Sequence, residues 1–470
     1  MTLDSVTDMK TSCCPGISTF SPPVFLIQSA VRIDQIQSSE RACQTEHGTP
    51  EDMKERPSSV RLNTGQAPSG SALGSASHQV KPLQDQDLLW DQPHQVLSFR
   101  DIKAVSVEIK SEMNPVPERR PTLTPRQATE LTVQLYGVTI TEISTLPSYI
   151  DQNFLIVDTE GTKYVLKIMN SEGSKNATKL EVQTFALSFL RQHGVPAQTA
   201  LPTTTGKLLS MEEIDCGHGA QTYCVRLMTY LPGKTLAESP GTMQDLYHVG
   251  RLIAFMDKTL QKLESPNLDV LHNNCDEEWS LSNVHLIERC LSVMDGEPLQ
   301  EVIKAVIEQF KSYVLPKIGS FQKGIIHGDT NDKNIIVTPV GNGRHEVSGV
   351  LDFSSLMNDC YVFELAATIA YMMLENPSPL DVGGAILTGW ESIMVLNEDE
   401  RECLYLLVLG PLCQSLVYGR ENLKKYPDNK DYLLVTAKNG TRILTKMWEM
   451  GKKEVERKWF TDASTFSVNE

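Results

Sequence analysis

Three polar side chains in the second half of the chain, Asp329, Asn334 and Asp352, are of the types that phosphoryl transfer requires. In that reaction one carboxylate accepts the proton of the attacking hydroxyl. An amide oxygen and a second carboxylate hold a divalent metal ion against the phosphates. Asp329 suits the role of the base, and Asn334 and Asp352 suit the metal ligands. The alternative is that these residues only form turns and cap a strand.

Two β-rich runs must position these side chains. The segment G-I-I-H-G-D-T-N-D-K-N leads from an apolar pair into a polar loop, and residues 335–337 and 347–351 form apolar runs after it. Such runs, bounded by glycine and proline, are typical of strands. We expect them to form a hairpin that places the polar loop and Asp352 at the same end.

A lysine and a glutamate upstream complete a phosphate-binding set. The run Y-V-L-K-I is typical of a strand, and its alternation sends Val165 and Lys167 to the same face. A lysine there can act as a point charge on the nucleotide phosphates if a carboxylate orients it. Glu181, in the helix predicted next, is the expected partner. The alternative is a solvated lysine on an edge strand and a surface glutamate.

The motif H-G-D-x-x-x-x-N, followed by an apolar strand and D-F, resembles the catalytic core of the aminoglycoside phosphotransferase and choline kinase families, which are relatives of the protein kinases. The resemblance runs from about residue 121 to about residue 460. It implies an α+β, protein-kinase-like fold with a small antiparallel sheet lobe and a mainly helical lobe. The predicted organisation is a disordered N-terminal extension (1–118), a nucleotide-binding lobe (119–232) and a catalytic and substrate-binding lobe (233–462).

The same resemblance implies further site residues. In kinase-like families the backbone of the hinge between the lobes hydrogen-bonds the purine, which here implicates Thr229, Tyr230 and Leu231. The alternative is that these residues belong to a strand that binds no ligand. The loop L-P-S-Y-I-D-Q-N-F stands where protein kinases cover the phosphates, but it lacks G-x-G-x-x-G. Ser354 and Ser355 replace the Gly and Asp that relatives commonly have after the Asp-Phe pair.

Five segments further resemble the branch of this group whose members phosphorylate 5-hydroxy-L-lysine: S-Y-x-D-Q-N-F, E-V-Q-T, V-R-L-x-T-Y-L-P-G, H-G-D-x-N-D-x-N and Y-V-F-E-L-A. This resemblance implies GTP as donor, Mg²⁺ as cofactor and a place in hydroxylysine catabolism. The spacing of residues does not distinguish guanine from adenine, so ATP stays open as the donor. The alternatives are an ATP-dependent kinase of the choline or ethanolamine type and a nucleotide-binding pseudokinase scaffold.

The acceptor is expected to be a small molecule. The segment between Asp352 and the helix predicted near Glu364 is too short for the activation loop on which protein kinases dock a peptide. The segment N-N-C-D-E-E-W brings Asp276, Glu278 and Trp279 together, and these side chains suit an amine through carboxylate charge and cation–π contact. The alternative is that this charged segment is simply a solvated face.

Composition limits the partners. A net charge of −16 argues against nucleic acid and anionic membranes. The chain is 40% apolar, and we expect no run long enough to cross a membrane. The 10 cysteines lack the spacing of a zinc site and fit reduced thiols. Because the first residues show no secretory or transit pattern, a cytoplasmic protein is expected; the oligomeric state is left open.

Overall fold

The computed structural model describes residues 120–217, 219–272, 278–341 and 343–467. The predicted extension over residues 1–118 lies outside the described residues, and so does Asp276. The described chain belongs to one unit in which a five-stranded antiparallel sheet is followed by a mainly helical part. The α+β class expected from the sequence is therefore confirmed.

The N-terminal sheet has the strand order β1-β2-β3-β5-β4. Its strands are β1 (Ile140–Leu146), β2 (Gln152–Asp158), β3 (Lys163–Ile168), β4 (Ser210–Asp215) and β5 (Ala220–Thr229). Two helices accompany the sheet, α1 (Pro125–Tyr136) and α2 (Ala177–Gln192). A capping box of Thr124 and Gln127 begins α1, and Gly137 ends it with a φ of 68°.

Alternation along β2 and β3 gives the sheet two different faces. Phe154, Leu166 and Ile168 are fully buried and pack in one apolar cluster with residues of α1. Val165 instead packs against the core of the helical part. Lys167, between Leu166 and Ile168, therefore faces the helical part together with Val165, as the sequence predicted.

The helical part forms the second lobe. Its α-helices are α3 (Met243–Leu260), α4 (Leu299–Gln309), α5 (Tyr361–Met372), α6 (Pro379–Glu391), α7 (Glu398–Lys425), α8 (Lys430–Leu433), α9 (Ala437–Met450) and α10 (Lys452–Thr465). Between α3 and α4 the chain continues as 3₁₀ turns at Leu268–Leu271 and Leu281–Met294. A π-helical turn (Phe310–Val314) and a 3₁₀ turn (Leu315–Ser320) follow α4.

Helix α7 is the centre of this lobe. By length and composition it is apolar enough to cross a membrane, with a mean hydropathy of 1.3, which differs from the sequence expectation. However, 89% of that apolar window is buried within the fold. Leu404 and Val408, for example, have no exposed surface because the surrounding helices cover them. The apolar composition is thus explained by packing in a core.

Two short sheets contain the strands around the polar loop with Asp329 and Asn334. Strands β6 (Lys234–Thr235), β8 (Ile335–Gly341) and β9 (Arg344–Val350) form one sheet, and β7 (Lys323–Ile326) pairs with β10 (Met357–Cys360) in the other. The predicted hairpin is confirmed as β8–β9. The N–H of Leu351 donates to the carbonyl of Asn334 at 2.8 Å. The polar loop and residue 352 therefore meet at one end of the hairpin.

Backbone contacts join the sheet lobe to the helical lobe. The N–H of Val350 donates to the carbonyl of Pro196 at 2.9 Å, and Ala197 forms a parallel bridge with Val350. Gly233, which follows β5, has a φ of 135°, and a Cβ there would lie 2.6 Å from the carbonyl oxygen of Val337. Only glycine fits this close approach, which lies at the predicted boundary between the lobes.

Candidate active site

The loop between β7 and β8 presents the carboxylate of Asp329. The side-chain amide of Asn331 donates to Oδ1 at 2.7 Å, and that of Asn334 donates to Oδ2 at 2.9 Å. Burial, followed by the negative charge of Asp352, raises the pKa of Asp329 to about 7, although both amide bonds oppose this rise. A carboxylate with such a pKa is suited to accept a proton near neutral pH.

His327 fixes the loop relative to the strand that carries Asp352. Its side chain is fully buried. The N–H of Asp329 donates to Nδ1 at 3.1 Å, and Nε2 lies 2.8 Å from the carbonyl oxygen of Leu351. The tautomer with its proton on Nε2 satisfies both contacts. The ring of Phe353 lies 4.4 Å from the imidazole, centroid to centroid. His327 therefore holds the predicted base and the predicted metal ligand in register.

Asp352 adopts a left-handed backbone conformation with a φ of 56°, the one positive φ of a non-glycine residue in the described ranges. Such strain persists only where the surroundings impose it. Its Oδ1 accepts hydrogen bonds from Lys167 Nζ at 2.5 Å and Ser354 Oγ at 2.7 Å. Burial alone would raise the pKa of Asp352, but the Lys167 charge and these two bonds hold it well below its usual range.

Asp352 and Asn334 have oxygen atoms suited to a divalent cation. The bonds of Asp352 fall on Oδ1, and Asn334 uses its Nδ2 to bond Asp329. Within the described ranges no hydrogen bond is made to Asp352 Oδ2 or Asn334 Oδ1. Mg²⁺ prefers a few such oxygens together with water and substrate phosphates. No group of three or more His, Cys, Asp or Glu side chains that could hold a metal ion occurs among the described residues.

Glu364, at the start of α5, forms hydrogen bonds with the loop between β7 and β8. It was not predicted as a site residue from the sequence. It is 1% exposed. Its Oε2 accepts from the N–H of Gly328 at 2.8 Å, and its Oε1 accepts from Thr330 Oγ1 at 2.6 Å. The signal was present in Y-V-F-E-L-A, because a glutamate in an apolar helix start requires buried partners.

Lys167 lies in the cleft beside Asp352 and is 9% exposed. Its Nζ is 2.5 Å from Asp352 Oδ1 and 3.4 Å from Asp151 Oδ2. Burial would lower the pKa of Lys167, but the two carboxylates raise it above its ordinary value. Lys167, Asp329, Asn334 and Asp352 are thus brought together as the sequence predicted.

The predicted ion pair between Lys167 and Glu181 is wrong. Glu181 lies on the exposed face of α2, and Lys167 makes its ion pairs with aspartates instead. A buried polar residue of this helix is Gln183, whose Nε2 donates to the carbonyl of Ser354 at 2.7 Å. The physical reason is helical periodicity. Gln183 lies three residues after Leu180 and so shares its buried face, whereas the side chain of Glu181 points to solvent.

The predicted purine-binding hinge follows the end of β5. The backbone of Thr229 is engaged there, because its N–H donates to Thr199 at 2.9 Å and its carbonyl accepts from Gln198 Nε2 at 3.0 Å. Tyr230 and Leu231 are half-buried, and no hydrogen bond engages their backbone groups within the described part of the chain. Contact with a purine at these two residues stays a prediction, whereas Thr229 would first have to release its present partners.

The predicted substrate residue Trp279 belongs to an aromatic cluster of four side chains, Tyr149, Trp279, Tyr418 and Tyr432. Trp279 meets Tyr149 and Tyr418 edge-on, with ring centroids 6.2 Å and 5.2 Å apart. Tyr149 lies 6.3 Å from Tyr432. Trp279 keeps 37% of its surface exposed, and the adjacent Glu278 is exposed. The cluster therefore offers aromatic faces at an accessible surface.

The aromatic cluster lies near the carboxylates of Asp329 and Asp352. Burial first, and then the charges of Asp329 and Asp352, raise the pKa of Tyr432 above its ordinary value. Tyr149 comes from the loop between β1 and β2, and Asn422 of α7 donates a hydrogen bond to its hydroxyl. Asn429 donates to the carbonyl of Tyr149 at 2.9 Å. The loop of the sheet lobe is thus fastened to the helical lobe beside the predicted base.

Comparison with known proteins agrees with this geometry. The sequence model of the phosphotransferase enzyme family matches residues 142–400. A hydroxylysine kinase of Danio rerio is 47% identical over 349 residues, covering 74% of this chain and 98% of that protein. A hydroxylysine kinase of Mus musculus is 39% identical over 358 residues, covering 74% and 95% respectively.

A solved structure of an amicoumacin kinase in complex with AMP-PNP, Ca²⁺ and Ami has a similar fold. Its TM-score is 0.50 at 13% identity, and the match covers 68% of this chain and 94% of that one. At this identity the likeness concerns the fold alone. The kinase-like arrangement expected from the sequence is thereby confirmed.

Proposed function

Because the chain belongs to the hydroxylysine kinase group of the phosphotransferase enzyme family, we propose that it transfers the γ-phosphoryl group of GTP to the side-chain hydroxyl of 5-hydroxy-L-lysine. The family makes it a phosphotransferase with an alcohol group as acceptor. The observation that carries the proposal is the convergence of Asp329, Asn334, Asp352 and Lys167 at one end of the β8–β9 hairpin.

Asp329 is the base in this proposal. It accepts the proton of the acceptor hydroxyl as the oxygen attacks phosphorus, and the amides of Asn331 and Asn334 keep the carboxylate in place. The raised pKa of about 7 gives Asp329 more affinity for that proton than an exposed aspartate has. Catalysis of this kind depends on positioning and on electrostatic stabilisation.

Asn334 Oδ1 and Asp352 Oδ2 are the protein ligands that would hold Mg²⁺ here. When bound, such an ion neutralises phosphate charge that otherwise repels the nucleophile. Lys167 supplies a further positive charge and exchanges part of its contact with Asp352 for the phosphates. Ser354 donates to Asp352 Oδ1, which leaves Oδ2 as the oxygen that would hold the cation.

The aromatic cluster is the proposed wall of the acceptor site. A cation is attracted to the face of Trp or Tyr, and Glu278 adds negative charge beside Trp279. The proposed substrate carries its side-chain ammonium group on the carbon next to the hydroxyl that reacts, which suits a wall near Asp329. Asp276 was predicted for the same site but lies outside the described residues.

A nucleotide-turnover assay tests the proposal. Purified chain is supplied with Mg²⁺, GTP or ATP, and one acceptor from a panel of 5-hydroxy-L-lysine, lysine, homoserine, choline and ethanolamine. Lysine is the matched control because it lacks only the hydroxyl. We expect GDP release with hydroxylysine and none with lysine. Turnover of ATP with choline or ethanolamine would favour a kinase of the choline or ethanolamine type. No nucleotide turnover with any acceptor would favour a pseudokinase scaffold.

We also propose that the reaction takes place in the cytoplasm and serves hydroxylysine catabolism. Free thiols fit a reducing compartment, and the described cysteines are all unbridged: Cys216, Cys224, Cys290, Cys360, Cys403 and Cys413. Cell fractionation, with an antibody to detect the chain, tests the cytoplasmic location. Accumulation of free hydroxylysine after loss of the chain tests the role.

A further inference from the structure

Lys167 has a second carboxylate partner, Asp151, which neither the motif nor the family resemblance indicated. Asp151 lies at the end of the loop between β1 and β2 and is 9% exposed. Its Oδ2 is 3.4 Å from Lys167 Nζ. The contact is longer than the one with Asp352, but both groups are enclosed, so solvent screens their attraction little.

The register of the sheet explains why Asp151 reaches the lysine. Asn153 of β2 is paired with Lys167 of β3. Asp151 precedes Asn153 by one full strand period, so its side chain points to the same face as Lys167. Diagonal neighbours of this kind lie within reach of a long side chain. The pair is therefore made within one sheet and needs no helix.

Asp151 is held rigidly. Its Oδ1 accepts two hydrogen bonds from Asn170, one from the backbone N–H at 2.9 Å and one from Nδ2 at 3.0 Å. Its carbonyl accepts from Ser148 Oγ at 2.5 Å and from Arg120 Nε at 3.2 Å. These bonds fix the side chain of Asp151 without a bound nucleotide, and they leave its Oδ2 directed at Lys167.

The charges of the site require such a partner. Arg226 of β5 is paired with Lys167 across the strands and is also buried. Like charges placed directly opposite each other are destabilising. In the proposed function Asp352 would also hold Mg²⁺, so Lys167 would share this carboxylate with the ion. Glu181 is exposed on α2 and does not contribute.

We propose that Asp151 is the positioning residue that aims Lys167 at the nucleotide phosphates, in place of a carboxylate from the neighbouring helix. The proposal rests on the phosphate-binding role given to Lys167 in the proposed function. It follows that the lysine keeps its orientation whatever the position of α2. Orientation depends instead on the loop that also carries Tyr149 into the aromatic cluster.

A double-mutant cycle on nucleotide binding tests the proposal. The dissociation constant of the Mg²⁺–nucleotide complex is measured, without acceptor, for the wild type, Asp151→Asn, Lys167→Met and the double variant. The nucleotide is whichever of GTP or ATP binds the wild type more tightly. Because no acceptor is present, the outcome does not depend on which hydroxyl compound is the substrate. Glu160→Gln, an exposed charge in the turn between β2 and β3, is the control.

We expect Asp151→Asn to weaken binding about tenfold in the wild type and by less than about twofold in the Lys167→Met background. Asp151→Glu, which keeps the charge, recovers part of the loss. An equal loss in both backgrounds would assign Asp151 a merely structural role and overturn the proposal. No loss from Asp151→Asn, or an equal loss from Glu181→Gln, would overturn it as well.

Discussion

The side-chain amide of Asn334 donates two hydrogen bonds to Asp329, one to the carboxylate and one to the backbone carbonyl, each at 2.9 Å. The amide nitrogen thereby fixes the base while the amide oxygen stays available to a metal ion. A single side chain thus couples the two functions that phosphoryl transfer needs. Replacing Asn334 should therefore disturb both the position of the base and the binding of the metal ion.

The first prediction concerns metal dependence. Asn334→Ala removes one proposed oxygen ligand and Asp352→Asn removes the negative charge of the other, so we expect the Mg²⁺ concentration for half-maximal activity to rise and kcat to fall by about 100-fold or more. Titration of activity with Mg²⁺ measures both effects. Unchanged Mg²⁺ dependence in both variants would show that the ion binds elsewhere.

The second prediction concerns pH. The pKa of Asp329 is raised to about 7, so the carboxylate is protonated and inactive as a base below that pH. We expect kcat/KM to rise as the pH increases through about 7 and then to level off. A pH series at subsaturating acceptor measures this. A profile that is flat from pH 5 to 8 would be inconsistent with Asp329 as the titrating base.

The third prediction concerns the support of the loop. Glu364→Gln replaces the carboxylate by a neutral amide with one acceptor oxygen, so the N–H of Gly328 and the hydroxyl of Thr330 no longer both donate to a charged group. We expect the free energy of unfolding to fall by about 1–3 kcal/mol, measured by denaturant titration. Glu160→Gln serves as the exposed control. A variant as stable as the wild type would show that Glu364 is not needed to hold the loop.

The fourth prediction concerns the acceptor. Trp279→Ala removes the most accessible ring of the aromatic cluster, and a cation–π contact is worth about 0.5–2 kcal/mol. We expect the KM of the acceptor to rise by about twofold to thirtyfold while the KM of the nucleotide is unchanged. Tyr313→Ala, which removes an exposed ring outside the cluster, is the control. Equal effects on both substrates would place Trp279 outside the acceptor site.

The sequence predicted the parts of the site that are local. The polar loop, the β8–β9 hairpin and the face on which Lys167 lies follow from turn residues and strand alternation, and the structure confirms them. The partner of Lys167 could not be read in this way. Asp151 meets it only through the register of β2 against β3, and register is a tertiary property.

The error at Glu181 has a similar origin. Motif spacing favoured a glutamate in the next helix. However, Glu181 follows the buried Leu180 directly, and consecutive side chains on a helix point about 100° apart, so Glu181 points away from the buried face. The apolar stripe of α2 could have indicated position 183 instead. The segment Y-V-F-E-L-A indicates that Glu364 needs buried partners, but the sequence does not show that these are the N–H of Gly328 and the hydroxyl of Thr330.

The most direct test of the account is hydroxylysine-dependent turnover by the Asp329→Asn variant, measured together with its nucleotide affinity. We expect the wild type to release GDP when hydroxylysine is present. The variant should bind nucleotide with unchanged affinity but show turnover reduced by about 100-fold or more, because only the proton acceptor has been removed. Turnover by Asp329→Asn at the wild-type rate would contradict the account.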